Sequence, residues 1–222
     1  MAIQAFTQFG LIYLVLMPFI KSTNNKMEII LASSNEGKFK EFSALTKKTN
    51  IRLGSLPKNL INLPDETGLT FEENALIKAN HVFKQVNSPV LADDSGLEVD
   101  CLDGAPGIMS ARYSKKATDE GNIKKILSDM KGIKGWKRRA RFKCCLILKL
   151  NRSLEPIKAE GFLEGLIAEV PKGEGGFGYD PIFLLPALGL SLAEITKEKK
   201  NEISHRSKAF ILLLKKLSLI NY

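Results

Sequence analysis

Between residues 139 and 150 the chain alternates without a break. Ala140, Phe142, Cys144, Leu146, Leu148 and Leu150 share one parity, while Arg139, Arg141, Lys143 and Lys149 fall on the other. Side chains of an extended strand point to opposite faces in turn, so the segment predicts a long strand with one wet side. The adjacent Cys144 and Cys145 then face opposite ways. With Cys101 they make three cysteines, an odd number without CxxC spacing, so neither a disulfide framework nor a zinc site is expected. A reducing cytoplasm suits them.

The other elements follow from periodicity. A strand over 27–32 runs into the polar loop 33–37, then a helix to about Lys48 with Phe39, Phe42 and Leu45 inward. Thr70-Phe71-Glu72-Glu73 has the form of a capping box, opening a helix to about Val86. A short strand at 90–92 is expected to end at Asp93-Asp94-Ser95-Gly96, with a second strand over 97–102. A helix spans 118–131, strands lie near 156–163 and 165–170, residues 173–178 form a loop, and an amphipathic helix covers 202–217. Strands and helices interleave without a regular βαβ period. The expected fold is therefore α/β, a long mixed sheet flanked by helices.

With 222 residues, 44% hydrophobic and 26% charged, the chain matches a folded domain, and neither disordered nor fibrous composition fits. The net charge of +9 favours an anionic ligand, although mixed runs such as Lys197-Glu198-Lys199-Lys200 are also ordinary solvated surface. The first 26 residues read differently. Residues 11–20 form an apolar run too short to span a bilayer comfortably, with no Lys or Arg before it and no clear cleavage site after it. The expectation is an N-terminal extension outside the fold, with translation starting at Met27 and the domain occupying 27–222. A weak membrane anchor is the competing reading.

Five segments carry candidate chemistry. Gly37 and Lys38 lie at a strand–loop–helix junction, where backbone N–H groups can hold an anion. The spacing is not that of a P-loop, and a plain turn accounts for it equally well. Asp93-Asp94 can hold a hard cation or share a proton, and the loop acids Asp65-Glu66 offer a further carboxylate. For the Asp93-Asp94 pair alone, a solvated turn is the plainer account. The segment 173–181 is dense in glycine, which lets a backbone approach a ligand closely, and Phe177 or Tyr179 could stack on a base. Ser204-His205-Arg206, with one of only two histidines, offers donors near a helix start. Taken singly, a capped helix explains it better.

In combination these segments resemble the inosine triphosphate pyrophosphatase (Ham1-like, non-canonical purine NTP pyrophosphatase) family, from Ile29 to Leu217. The resemblance is carried by Ala32-Ser33-Ser34-Asn35-Glu36-Gly37-Lys38, residues 66–75, Ala92-Asp93-Asp94-Ser95-Gly96-Leu97, residues 104–107 and 110–114, Gly175–Phe183 and Ser204-His205-Arg206. It implies an elongated two-lobed α/β fold, a homodimer, and Mg2+-dependent hydrolysis of ITP, dITP or XTP to monophosphate and pyrophosphate. Ser33, Ser34, Asn35, Glu36, Gly37, Lys38 and Lys78 would hold the triphosphate, and Ser95 would touch substrate. Asp94 would be the proton acceptor and a metal ligand, with Asp93 beside it and either Asp65 or Glu66 as the second carboxylate. Phe177, Gly178, Tyr179, Asp180, Lys200, His205 and Arg206 would hold the base. Donors facing a 6-oxo group would disfavour adenine, and such a site discriminates by roughly 10⁴ or more.

Two rivals compete. A nucleic-acid binder would use the Arg139, Arg141 and Lys143 stripe and have no need of Asp94. A Maf-like pyrophosphatase acting on pyrimidines would lack the 175–181 and 204–206 segments. No stable nucleic-acid or membrane partner is expected.

Overall fold

A computed structural model describes residues 26–57, 60 and 63–220; the expectations for the first 25 residues lie outside that range. The alternating segment forms β4 (Arg139–Lys149), at the centre of a sheet with β1 (Met27–Leu31), β2 (Ile51–Gly54), β3 (Val90–Val99), β5 (Ile157–Ile167), β6 (Phe183–Leu185) and β7 (Leu190–Ser191). The order is β2-β1-β3-β4-β5-β6-β7. The β1–β2 and β1–β3 pairings are parallel and the rest antiparallel, so the sheet is mixed, as the sequence predicts.

Five helices flank it among the described residues: α1 (Glu36–Thr46), α2 (Phe71–Val86), α3 (Asp119–Asp129), α4 (Lys197–Ile203) and α5 (His205–Ser218). Side-chain parity decides which helix meets which face. Leu31, Leu91, Cys144, Leu146 and Leu148 pack with Phe42 of α1 and with Phe210 and Leu213 of α5. The opposite face presents Val90, Ala92 and Ile147 to Ala75, Ala79 and Val82 of α2. Farther along the first face, Leu97, Val99, Phe142 and Ile167 pack under Ile123 and Ile126 of α3 and under Met130 just past its end. Each such fully buried aliphatic or aromatic side chain contributes roughly 1.5–3 kcal/mol. The sheet thus has two ends, one covered on both faces and one on a single face, which is the form the two lobes take.

The wet side of β4 is not a free basic stripe. Arg139 meets Asp100 at 3.3 Å, Arg141 meets Glu98 at 2.6 Å and Lys143 meets Glu160 at 3.3 Å. Acids on β5 and at the end of β3 match the cations across the strands, so little positive charge remains for a phosphate backbone. Among the described residues, no helix is long and apolar enough to cross a membrane.

Three predicted boundaries are corrected. Residues 93–96 are not a turn, because β3 runs unbroken through them, with Asp93 opposite Leu146 and Asp94 opposite Cys145. Their carboxylates tolerate burial because cations meet them there. The strands expected near 156–163 and 165–170 are one strand, β5. Gly161 keeps its place in it because α5 presses on it: a Cβ there would lie 2.2 Å from the His205 carbonyl oxygen. The last helix is two helices, broken at Ser204, whose extended backbone and side-chain bond to the Ser207 N–H start α5 afresh. The short strands β2, β6 and β7 carried no periodicity long enough to read. The capping box is present, with Thr70 accepting from the Glu73 N–H at 3.1 Å, but Glu73 reaches back to the Leu69 N–H at 2.6 Å.

Candidate active site

Strand β1 stops early, and that opens the site. It pairs with β3 only through Ile30–Val90 and Leu31–Leu91. The Ala32 N–H still donates to Leu91 at 2.8 Å, and the chain then turns into α1, where Asn35 caps the Lys38 N–H at 3.0 Å. The β3 edge is next engaged at Leu97, whose N–H donates to Ser110 Oγ at 2.9 Å. Ser110 belongs to the 3-10 turn Gly107–Arg112. Gly96 permits this approach, since a Cβ there would sit 2.4 Å from Ser110 Oγ. The interval between is a cavity of about 320 Å³, outside the carboxyl end of β1, where open α/β sheets take ligands.

One end of the cavity is a charge cluster. Lys78 of α2 bridges two carboxylates, at 2.8 Å from Asp94 Oδ1 and 2.7 Å from Glu66 Oε1. Arg112 Nη1 donates to Glu66 Oε2 at 2.9 Å. Burial opposes ionisation of Glu66, but Lys78 and Arg112 outweigh it and hold this carboxyl at about 2. Asp94 has only the shared Lys78, and its Oδ2 is buried without a partner. Burial, with the nearby Glu66 charge, pushes Asp94 up to about 6 despite Lys78 and Lys38. Burial that Lys78 and Lys38 do not offset leaves Asp94 as the group that exchanges a proton near neutral pH.

Asp93 is differently held. Its Oδ2 lies 3.1 Å from Lys38 Nζ and 3.3 Å from Arg206 Nε, and Cys144 Sγ donates to its Oδ1 at 3.3 Å. Burial opposes its charge, but Lys38 and Arg206 win and hold it well below the usual carboxylate range. It is a fixed counter-ion.

The other end is aromatic. The Phe177 ring has Lys200 at 4.9 Å and Arg206 at 5.3 Å over it, and it packs against Gly37, where a Cβ would meet it at 2.8 Å. Glu41 of α1 joins these cations, at 2.7 Å from Lys200 and 2.9 Å from Arg206. Asp180 accepts from Lys200 at 2.5 Å and from the Phe177 N–H at 2.9 Å. His205 stacks on Phe142 at 4.9 Å and 13°. Burial, reinforced by Arg206, keeps the imidazole neutral by lowering its pKa well below the ordinary value. Its Nδ1 has no protein partner.

The predicted residues therefore divide. Ser33, Ser34, Asn35, Lys38, Glu66, Lys78, Asp94, Ser95, Phe177, Gly178, Tyr179, Asp180, His205 and Arg206 line the cavity. Asp65 is exposed and outside the wall, so of the two loop acids only Glu66 reaches the cluster. Glu36 is exposed and faces Lys40 at 3.7 Å. Asp93 and Lys200 lie behind the wall, each held by opposite charges. Tyr179 is buried with its hydroxyl donated to the Ser110 carbonyl at 2.8 Å, so it forms the wall and is not free to stack on a base. Sequence reasoning missed Glu41, Ser110, Asp119 and Asn122, and it gave Arg112 no role. Glu41 had no readable signal, since Arg206 is 165 residues away.

No three His, Cys, Asp or Glu residues converge as a metal cage among the described residues. A cation that keeps most of its shell as water and phosphate needs only one or two carboxylates. Glu66 and Asp94, with the unpartnered Asp94 Oδ2, fit such a cation.

Fold and site together define an α/β protein with a crevice at a strand edge, charged and carboxylate-bearing at one end and aromatic at the other. The chain belongs to the Ham1 family, whose model matches residues 29–216. It is 47% identical over 193 residues to a Bacillus subtilis (strain 168) protein named dITP/XTP pyrophosphatase, covering 86% of this chain and 95% of that one. The Escherichia coli (strain K12) protein of the same name is 45% identical over 189 residues, covering 84% and 96%. The solved structure of a HAM1 protein from Coxiella burnetii superposes with a TM-score of 0.78 at 41% identity, covering 87% of this chain and all of that one.

Proposed function

We propose that this protein hydrolyses non-canonical purine nucleoside triphosphates (ITP, dITP and XTP) to the monophosphate and pyrophosphate, with Mg2+ as cofactor. The observation that carries the reading is Asp94: a buried carboxylate with one partner-free oxygen, pushed up to about 6, among cations that suit a polyphosphate. Its relatives' names, dITP/XTP pyrophosphatase, support the substrate class.

The chemistry follows from the residues. Asp94 accepts the proton of a water whose oxygen attacks the α-phosphorus, and the bond from that phosphorus to the pyrophosphate oxygen breaks. Lys38, Lys78 and the N–H groups at the start of α1 attract the phosphate oxygens. Glu66 and Asp94 would hold the magnesium ion, which when bound neutralises phosphate oxygens and lowers the pKa of water. At the other end, neutral His205 offers a hydrogen-bonding nitrogen. Arg206 spends three of its five N–H donors on Asp93, Glu41 and Ser95, so its plane is fixed and two donors remain for an oxo group. Adenine would set an amino group against them and leave donors unpaired. The same reading makes the protein a cytoplasmic homodimer, and a clean monomer in sedimentation would contradict the dimer.

The test is pyrophosphate release from ITP, XTP, GTP and ATP, with Mg2+ and with EDTA, for wild type and Asp94→Asn. Metal-dependent release confined to ITP and XTP and lost in the variant is expected. If all four triphosphates stay intact with folded protein, the reading falls.

A further inference from the structure

Glu66 and Asp94 share Lys78, yet only Asp94 keeps an open oxygen. Both Glu66 oxygens are taken, Oε1 by Lys78 at 2.7 Å and Oε2 by Arg112 at 2.9 Å. Lys78 is buried between two acids, with its side chain 6% exposed. The Arg112 side chain is 40% exposed, and Glu66 is the only acid it meets among the described residues. Its backbone is held independently of that pair. Asn122 donates to the carbonyls of Ser110 and Ala111 at 3.3 and 3.1 Å, and the Tyr179 hydroxyl also donates to Ser110. The guanidinium can therefore leave Glu66 while the turn that carries it stays in place.

We propose that Arg112 is an exchangeable cover on Glu66, competing with the divalent cation for that carboxylate and giving it up when the metal binds. The proposal rests on the reading that Glu66 and Asp94 are the carboxylates for the metal. Its physical basis is charge balance. In the empty site two acids face the single ammonium of Lys78, and Arg112 supplies the second positive charge. A divalent ion brings that charge itself, and the guanidinium then stands in its way. Arg112 acts through Glu66, so it is a positioning residue. A simple brace that orients Glu66 for metal would have the opposite consequence on removal.

The experiment is Mn2+ titration of the metal-free, nucleotide-free protein, followed by the EPR signal of the free ion, for wild type, Arg112→Ala, Arg112→Lys, Glu66→Gln and the double variant Glu66→Gln/Arg112→Ala. Competition predicts about tenfold tighter Mn2+ binding in Arg112→Ala, which is about 1.4 kcal/mol, and an intermediate value in Arg112→Lys. In the Glu66→Gln background, removing Arg112 is expected to change Mn2+ binding by less than about twofold. Weaker or unchanged binding in Arg112→Ala overturns the proposal, as does tightening of the same size without Glu66, or no Mn2+ binding by any form. Thermal unfolding midpoints confirm that each variant is folded. ITP hydrolysis with failed competition leaves the enzyme reading standing, whereas intact competition without hydrolysis sinks the enzyme reading alone.

Discussion

Asp93 and Asp94 are neighbours in sequence and point to opposite faces of β3, so they meet different cations. Asp93 lies 3.1 Å from Lys38 of α1, and Asp94 lies 2.8 Å from Lys78 of α2. Lys38 and Lys78 each act on both acids, yet the direct contacts differ, and one acid is held ionised while the other is pushed up to about 6.

The two acids should therefore fail differently when neutralised. Asp94→Asn removes the proton acceptor and is expected to lower kcat by roughly 10²–10⁴ without loss of stability, because the charge it removes is one that burial disfavours. Asp93→Asn leaves Lys38 and Arg206 facing a neutral group in a buried site. Breaking a buried pair costs about 3–5 kcal/mol. Pyrophosphate release and urea unfolding of both variants, side by side, check the contrast.

Asp94 has a pH signature in the metal-free protein. Its folded value of about 6 belongs to the site without a cation, so the carboxyl takes up a proton as pH falls through 6. Carboxyl infrared absorption of metal-free wild type against Asp94→Asn is expected to show that uptake near pH 6, moved lower when Mg2+ binds. Uptake near pH 4 in the metal-free protein would mean that Asp94 is an ordinary exposed carboxylate in solution.

His205 links stability to pH in a predictable direction. The unfolded imidazole takes a proton near pH 6.5, and the buried one resists it. The unfolded state thus binds more protons below 6.5, and stability falls as pH falls. Asp94 works the other way, because its folded value lies above the unfolded one, so the folded state gains stability as pH drops through 6 towards 4. The difference between wild type and His205→Gln cancels Asp94. Between pH 6.5 and 5.5 the wild type should lose about 1 kcal/mol relative to the variant, measured by urea unfolding at each pH.

Gly161 sets the position of the base end because α5 packs directly on it. A Cβ there would lie 2.2 Å from the His205 carbonyl oxygen and 2.4 Å from the Ala209 nitrogen, both backbone atoms of α5. Gly161→Ala is expected to cost about 1–3 kcal/mol and to raise KM for ITP more than it lowers kcat, since α5 carries His205 and Arg206 but not Asp94. Denaturation midpoints and steady-state kinetics test the two parts separately.

Much of the fold was readable because its signals are local. Alternation marked β4, the Thr70 cap marked α2, and Phe39, Phe42 and Leu45 marked the inward side of α1. The errors came where local polarity misled. Asp93-Asp94-Ser95-Gly96 has the composition of a turn, and only the cations contributed by α1, α2 and α5 make it tolerable inside a strand. The strands expected near 156–163 and 165–170 are likewise one strand, and Gly161 within it is the contact on which α5 rests.

The sequence by itself determined most of the longer strands and helices, the mixed sheet, the family resemblance and most of the residues that line the cavity, because each rests on spacing along a short stretch of chain. Tertiary structure alone decided that Glu66 and not Asp65 joins Asp94, that Tyr179 builds wall, that the Arg139–Arg141–Lys143 stripe is already neutralised, and that Glu41 and Arg112 belong to the site. Those outcomes depend on charges brought within 3 Å or so from distant parts of the chain. Coulomb interaction is set by distance in space, which spacing along the chain does not encode.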